Sequence, residues 1–590
     1  MIEKDGRITW DDQSLYEGIR QDLGPGQVRS RMVRNLHHGR MGALTKDRGI
    51  RPLSANSPYV IPTLGSDSTK DVLVGYDAQF TDAQFIVGIQ ETSSNPVLYK
   101  YVPTNYGSLG EGTWDAKTVT ITNSTMDVKP FITMFANRLF IADGTALQSS
   151  SSNLSFSTYG DSSYANPSKF GCVYNSRLIL SGNATYPYSF FPSEPREANT
   201  TNWDGALAMN VTDAGNEKIT CVGTCGSWLI VAGRNWMKSY FLGDASPTDW
   251  EVEDLSRTVG IVHWSSFKEV IYRGQSFSFF WSEDGPCCVY QSGNAAPRLV
   301  SLYEPIQYAV RNATVDEMPG LSVDNFNKVV TAWVPELNEV RFSVMSTDSA
   351  KNTINRNDLI LCLRFDSLLY YINGDSPLMW RLRDNEYNIQ TDSYKSGLPC
   401  STIFNAKVDP VSGLPSATGQ DRCFCASNSV VYEMDAPFTY MDHILGGGSG
   451  IPIPFSLVRD GYDGSDDDGR PGQYDNKTIR HRTKSIQGAY LSTNQPGDYR
   501  IQVFVRSDGA GIRNATNREV DISSGVGTWF DGGMWGDGGK WQGQGSFAQR
   551  KGGLGVIGKT FEMELSDNGS IDAEVQLASF SMVGYLEDRI

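Results

Sequence analysis

An apolar run closing on a small residue and glycine recurs along this chain at intervals of about forty to fifty residues. It reads Asn137-Arg138-Leu139-Phe140-Ile141-Ala142-Asp143-Gly144, then Ser176-Arg177-Leu178-Ile179-Leu180-Ser181-Gly182. It returns as Trp228-Leu229-Ile230-Val231-Ala232-Gly233 and as Phe279-Phe280-Trp281-Ser282-Glu283-Asp284-Gly285. One supersecondary unit laid down repeatedly at this period, with strand-length apolar runs, is the signature of propeller blades.

The rest of the central text agrees. Thr118–Ile121, Phe131–Phe135 and Val340–Val344 are strand-length and rich in β-branched and aromatic residues, and Asn-Gly, Asp-Gly and proline turns separate such segments. Lys328–Val334 with Glu339–Val344, and Cys423–Ala426 with Val430–Glu433, predict hairpins, and from about residue 80 there is room for six to eight blades. Glycine at 59 copies and charged residues at only 20% fit strands and corners rather than a helical bundle. The expected fold is all-β: a β-propeller over residues 57–440, an N-terminal extended arm over 1–56, and a C-terminal antiparallel β-sandwich-like domain over 441–590. In the last of these Tyr499–Val505, Thr560–Leu565 and Ala573–Tyr585 alternate, with a glycine- and tryptophan-rich stretch around Trp529, Trp535 and Trp541 between them.

The arm stands out by charge. Between Leu23 and Pro52 lie Arg29, Arg31, Arg34, Arg40, Lys46, Arg48 and Arg51 against one acid, Asp47, in a chain of net charge −16. Low apolar content keeps this stretch from closing a core of its own, so it is expected to order against a partner or the main body, with the seven cations as the docking set. A solvated leader is the plain alternative. On the docking view, removal of Met1–Leu53 is expected to leave the propeller folded and to block assembly.

Motifs of chemistry are sparse. Gly553-Leu554-Gly555-Val556-Ile557-Gly558-Lys559-Thr560 satisfies the phosphate-loop pattern, which works only between a buried strand and a helix whose first amides meet the phosphates. Here the strand-like Phe561–Leu565 follows, so a glycine-rich β segment is expected. His37, His38, His263, His443 and His481 lack a metal or hydrolase spacing. Cys221-x3-Cys225 and Cys423-x-Cys425 do not match zinc spacings, and the nine cysteines are expected as free, mostly buried thiols. The Asp460–Asp468 loop offers oxygen ligands for calcium without the closing glutamate of an EF-hand, leaving a solvated loop as the alternative. No catalytic, cofactor-binding or metal residue is assigned, and no cofactor is expected. The acidic balance excludes general nucleic-acid binding, and the absence of an apolar leader or of a long apolar run implies a soluble product without a membrane anchor.

In the arm, Leu23-Gly24-Pro25-Gly26-Gln27, Asn35 and Gly42-Ala43-Leu44-Thr45-Lys46-Asp47-Arg48-Gly49-Ile50 occur in an order that resembles the opening of tail nozzle or tail-hub proteins of short-tailed bacteriophages. The likeness continues through Asn175–Leu180 leading to Tyr186–Pro195, Trp228–Gly233 leading to Trp236–Leu242, and Val259–Val262 before Phe280–Pro286, covering most of residues 1–440. The resemblance implies a non-enzymatic virion protein made in the host bacterial cytoplasm. It implies a homo-hexamer below the portal and adaptor proteins, seating tail fibres, with DNA passing through the bore during ejection without sequence-specific binding. An acidic lumen suits that passage, because it repels the phosphate backbone. The competing expectation is a glycan-binding or glycoside-acting propeller with clustered carboxylates at its channel mouth.

Overall fold

The computed structural model describes residues 7–12, 19, 29–38, 43–53, 70–103, 112–159, 167–195, 208–211, 217–241, 249–347, 356–384, 400–409, 415–436, 441–442, 451–462, 484–493, 499–507, 515–522, 550–567 and 575–586, less gaps of one to three residues within these ranges. Among them the chain is all-β. Six four-stranded antiparallel sheets, and the first four strands of a nine-stranded sheet, form seven blades. Their innermost strands are Val72–Gln79, Phe131–Phe135, Phe170–Tyr174, Cys221–Cys225, Lys268–Tyr272, Val330–Val334 and Thr402–Val408. Each packs beside the next and the last returns to the first, so the ring is closed.

The repeated phrase is the second strand of blades two to five: Arg138–Ala142, Arg177–Ser181, Trp228–Ala232 and Gln275–Ser282. These strands are buried almost throughout. A blade's second strand is covered on both faces by neighbouring blades, which explains an unbroken apolar run where a half-exposed strand would alternate. Tight two-residue turns feed the phrase: Ala136 and Asn137 have φ of 46° and 58°, and Asn175 and Ser176 have 43° and 59°. This left-handed pair is the hairpin turn that matches strand twist. The closing glycines Gly144 and Gly182, at φ 88° and 81°, turn the chain out of the strand where a side chain would be strained.

The two expected hairpins form, pairing Val330–Val334 with Glu339–Val344 and Gln420–Ser427 with Val430–Glu433. Among the described residues helix is confined to short pieces, the longest being Phe365–Asn373, which ends on Gly374 in the left-handed conformation.

The N-terminal segment is extended, and it is woven into both the propeller and the sandwich. Arg51–Pro52 pairs with Val430–Glu433 as the fourth strand of blade seven. Arg29–Arg34 lies antiparallel to Ser456–Tyr462 and touches the outer strand of blade six through Arg34 and Leu382. The blade-six sheet thereby runs on through Phe561–Ser566, Tyr499–Ser507 and Ala515–Ile522. The facing sheet of the sandwich contains Arg7–Asp12, Leu36–His38 and Leu44–Lys46 together with Gln576–Leu586, Lys484–Thr493 and Arg550–Gly558. One apolar core joins the parts: Met32, Val33, Leu36 and Leu44 pack in the same cluster as Trp281, Phe342 and Trp380 of the propeller and Val503, Met563 and Leu577 of the sandwich.

The phosphate-loop pattern falls where a strand was expected. Its glycines belong to Arg550–Gly558, paired with Lys484–Thr493, and the chain turns directly into Phe561–Ser566 with no helix to present amides. Trp529, Trp535, Trp541, His443, His481 and most of the Asp460–Asp468 loop lie outside the described residues.

Candidate functional site

The docking cations are distributed unevenly. Lys46 is fully buried, its Nζ 2.9 Å from Asp567 Oδ2 in the sandwich. Arg51 meets Glu433 at 2.8 Å beside the strand pairing that completes blade seven. Arg31 pairs with Glu562, which also takes Arg506 at 2.8 Å. Arg34 is half-buried in its strand, Arg29 is in register with Asp460, and Arg40 lies outside the described residues. Arg48 is exposed at the rim of a cleft, while its carbonyl accepts a 2.7 Å hydrogen bond from Arg383. Lys46, Arg51 and Arg31 therefore meet carboxylates of their own chain, and the outward-facing cation at the cleft is Arg48.

Asp47, the lone acid of the segment, is the centre of the junction. Its carboxylate is fully buried and lies 2.7 Å from Arg381, 3.2 Å from Arg383 and 3.0 Å from His37 Nδ1. Arg381 also donates to Glu339 at 2.6 and 2.7 Å. Glu339 continues to Arg341, whose Nη1 reaches Asp435 at 2.6 Å. This chain of charges links the N-terminal segment, the second and fourth strands of blade six, and the end of blade seven. Burial alone would push the Asp47 carboxyl up, but Arg381 and then Arg383 outweigh it and hold it well below the usual range. Glu339 and Asp435 are lowered in the same way, against burial, chiefly by Arg381 and Arg341 respectively.

Sequence reasoning passed over Arg341, Arg381, Arg383 and Glu339. The available signal was their alternation with apolar residues in Glu339-Val340-Arg341-Phe342 and Trp380-Arg381-Leu382-Arg383, which puts charge on one face of strands whose other face is core.

Beside the junction opens a cleft of about 1150 Å³ between the sandwich and blades six and seven. His37, His38 and Arg48 line one side; Glu336, Asp421 and Arg422 line the other. Its walls carry both signs of charge, which suits a polar protein segment better than an apolar ligand.

The propeller axis is filled at the end where the inner strands begin. Lys129, leading into blade two, sends Nζ to the carbonyls of Lys328 and Ser401 at 3.3 and 3.1 Å, ahead of blades six and seven. Phe131 of blade two meets Trp264, ahead of blade five, edge to face at 5.6 Å. These contacts skip adjacent blades and so cross the axis. Burial lowers Lys129 to about 7, with Asp71 opposing, and lowers His263 beside it to about 3. Between pH 7 and about 10 the unfolded chain holds the Lys129 proton that the folded chain has released, so this group makes stability rise with pH. Comparing chemical denaturation of the natural protein and Lys129→Met should show their difference shifting toward the natural protein by up to ~1.4 kcal/mol per pH unit above pH 7. A pH-independent difference would contradict this placement of the charge.

Asp77 is raised by burial, with Asp421 adding to it, but its carboxylate accepts from Gln79 and Gln84 side chains and the Lys407 amide at 2.7, 2.7 and 3.0 Å. Those donors make it a joint between blades one and seven. Among the described residues no three His, Cys, Asp or Glu side chains gather closely enough to hold a metal ion. Eight of the nine cysteines are buried and all nine are free thiols, with Cys225, Cys287, Cys362 and Cys423 pushed up to about 12 by burial.

No protein family matches the sequence, and no curated protein does. Some solved structures align with it loosely. The N-terminal domain of Nup159 is 10% identical, with 66% of this chain and 95% of that domain covered at a TM-score of 0.32. An exo-β-1,3-galactanase from Phanerochaete chrysosporium is 8% identical over 79% of this chain and 97% of its own, at 0.22. The extracellular domain of a hybrid two-component system from B. thetaiotaomicron is 10% identical over 72% and 47%, at 0.34. At such scores the assignment of the fold rests on the strand pairing described above.

Proposed function

We propose that this protein is a structural virion component, a subunit of a homo-hexameric nozzle or hub in a short phage tail, without enzymatic activity. The observation that carries this reading is the weaving of one N-terminal segment through the seventh blade and both sheets of the sandwich, sealed by the buried Asp47 and Lys46 ion pairs. Propeller and sandwich are thereby packed as one body, which is what a subunit bearing load between the portal–adaptor complex and distal tail parts or fibres requires. The order of motifs along residues 1–440 supports the same reading, and a net charge of −16 favours DNA sliding through a ring without adhesion. The cleft beside Arg48 is the proposed seat for a neighbouring tail protein, since charged groups of both signs can fix register as well as affinity.

Mass spectrometry of purified phage particles from an infected culture tests the assignment. Peptides of this chain should appear at a stoichiometry comparable to other tail-ring proteins. Its presence in the infected-cell lysate and absence from particles would overturn the proposal.

A further inference from the structure

A second concavity, of about 590 Å³, lies between the tip of blade five and the Phe365–Asn373 helix. Tyr272, Phe277, Tyr290, Leu369 and Ile372 form its walls, a size and lining typical of small-ligand sites. Next in sequence to lining residues, Ile271 is 73% exposed and Tyr370 56%.

Arg273 and Arg298 line the same concavity, and both are exposed. Among the described residues neither pairs with a carboxylate, whereas Arg341, Arg381 and Arg506 all do. Arg273 sits at φ 49° in the hairpin turn, a position filled by Ala136, Asn175 and Gly226 in the preceding blades. It is the same left-handed turn as in those blades, so the conformation is set by the hairpin and the residue there decides what projects from it. The turn sets the Arg273 guanidinium 5.1 Å from the centre of the Tyr272 ring. Gln275 and Asn373 add side-chain amides to the lining.

We infer that this concavity binds an acidic sugar, a uronic-acid residue of an anionic glycan. Aromatic side chains in the lining can take the C–H face of a pyranose, with Tyr290 already stacked on Phe277 at 6.1 Å. The two guanidinium groups match a carboxylate, and the amides can exchange hydrogen bonds with hydroxyls. An acidic peptide is the less suited ligand. It would be held by main-chain hydrogen bonds along a strand edge, and of the outermost strand of blade five, Arg298–Ser301, only Arg298 lines the concavity. The inference stands on this surface alone and does not depend on a place in a tail.

The test is calorimetric titration of the full chain with a short oligogalacturonate, a neutral cello-oligosaccharide of the same length, and a poly-glutamate peptide. The uronate should bind, more weakly at higher salt, and the Arg273→Asn/Arg298→Gln double variant should weaken it by about tenfold or more, as expected for lost charge-assisted hydrogen bonds. Asparagine tolerates the left-handed turn, and Arg298→Gln alone, at an exposed position, keeps the test valid if the double variant melts early. Absence of uronate binding, equal binding of the neutral sugar or of poly-glutamate, or unchanged affinity in the variants would each overturn the inference.

Discussion

A protein lacking Met1–Leu53 should fail to fold as a propeller. The deletion removes the fourth strand of blade seven, Arg51–Pro52, and the strand Arg29–Arg34 that joins blade six to the sandwich. It also strips Asp47 from Arg381 and Arg383, and Lys46 from Asp567, taking a charged partner from each of these buried groups. Breaking one such buried pair costs about 3–5 kcal/mol, and the net stability of a domain is only about 5–15 kcal/mol. The expected result is a chain recovered in aggregates, or soluble with no cooperative thermal transition. A truncated protein that melts like the full chain would show that the segment is the dispensable arm its composition suggests. The opposite outcome, a propeller that survives the deletion, is what the composition alone suggests, but Lys46, Asp47 and Arg51 meet partners within their own chain.

A single substitution isolates the ionic part of the same junction. Asp47→Ala removes the buried carboxylate that Arg381 and Arg383 share, and it should lower stability by about 3–5 kcal/mol in urea unfolding at neutral pH. The control is Arg257→Ala. Arg257 is 85% exposed and pairs with Asp254 at 2.9 Å, and an exposed pair of this kind should cost no more than about 0.5 kcal/mol. Acid should separate the two variants as well. Asp47, Glu339 and Asp435 are all held below their ordinary range, so the unfolded chain binds more protons as pH falls through about 4. The stability these groups contribute is present above that range and is lost as pH drops through their folded values. The natural protein should thus lose stability steeply on acidification, and Asp47→Ala less steeply. Equal losses for Asp47→Ala and Arg257→Ala at neutral pH would show that the junction is held by packing alone.

The blades with short connections could be recognised from the text because their second strands are covered on both faces and therefore read as unbroken apolar runs. Blades one, six and seven were harder to count. Gln84–Gln90 ends in glutamine where the phrase has a small residue, Ala or Ser, and the undescribed residues 385–399 separate the last strand of blade six from the first of blade seven. The sandwich strands at Tyr499–Ser507 and Phe561–Ser566 alternate with one face in the core, so periodicity finds them. The role of the N-terminal segment was hidden by sequence distance. Lys46 and Asp567 are 521 positions apart, and Asp47 and Arg381 are 334 apart. Local composition presented seven cations and one stray acid, whereas the stray acid anchors the network. The second arginine-bearing site was invisible for another reason: Arg273 looks like any turn residue until the helix Phe365–Asn373 is brought beside it.

On the proposed function, propeller, sandwich and N-terminal segment form one body that closes into a ring with copies of itself. Electron microscopy of the purified full-length protein, with mass photometry on the same sample, tests this most directly. The account predicts closed rings whose mass is that of a hexamer, each subunit showing propeller and sandwich in one fixed relation. Particles that stay monomeric at every concentration, or subunits in which the two lobes take variable relative positions, would contradict it.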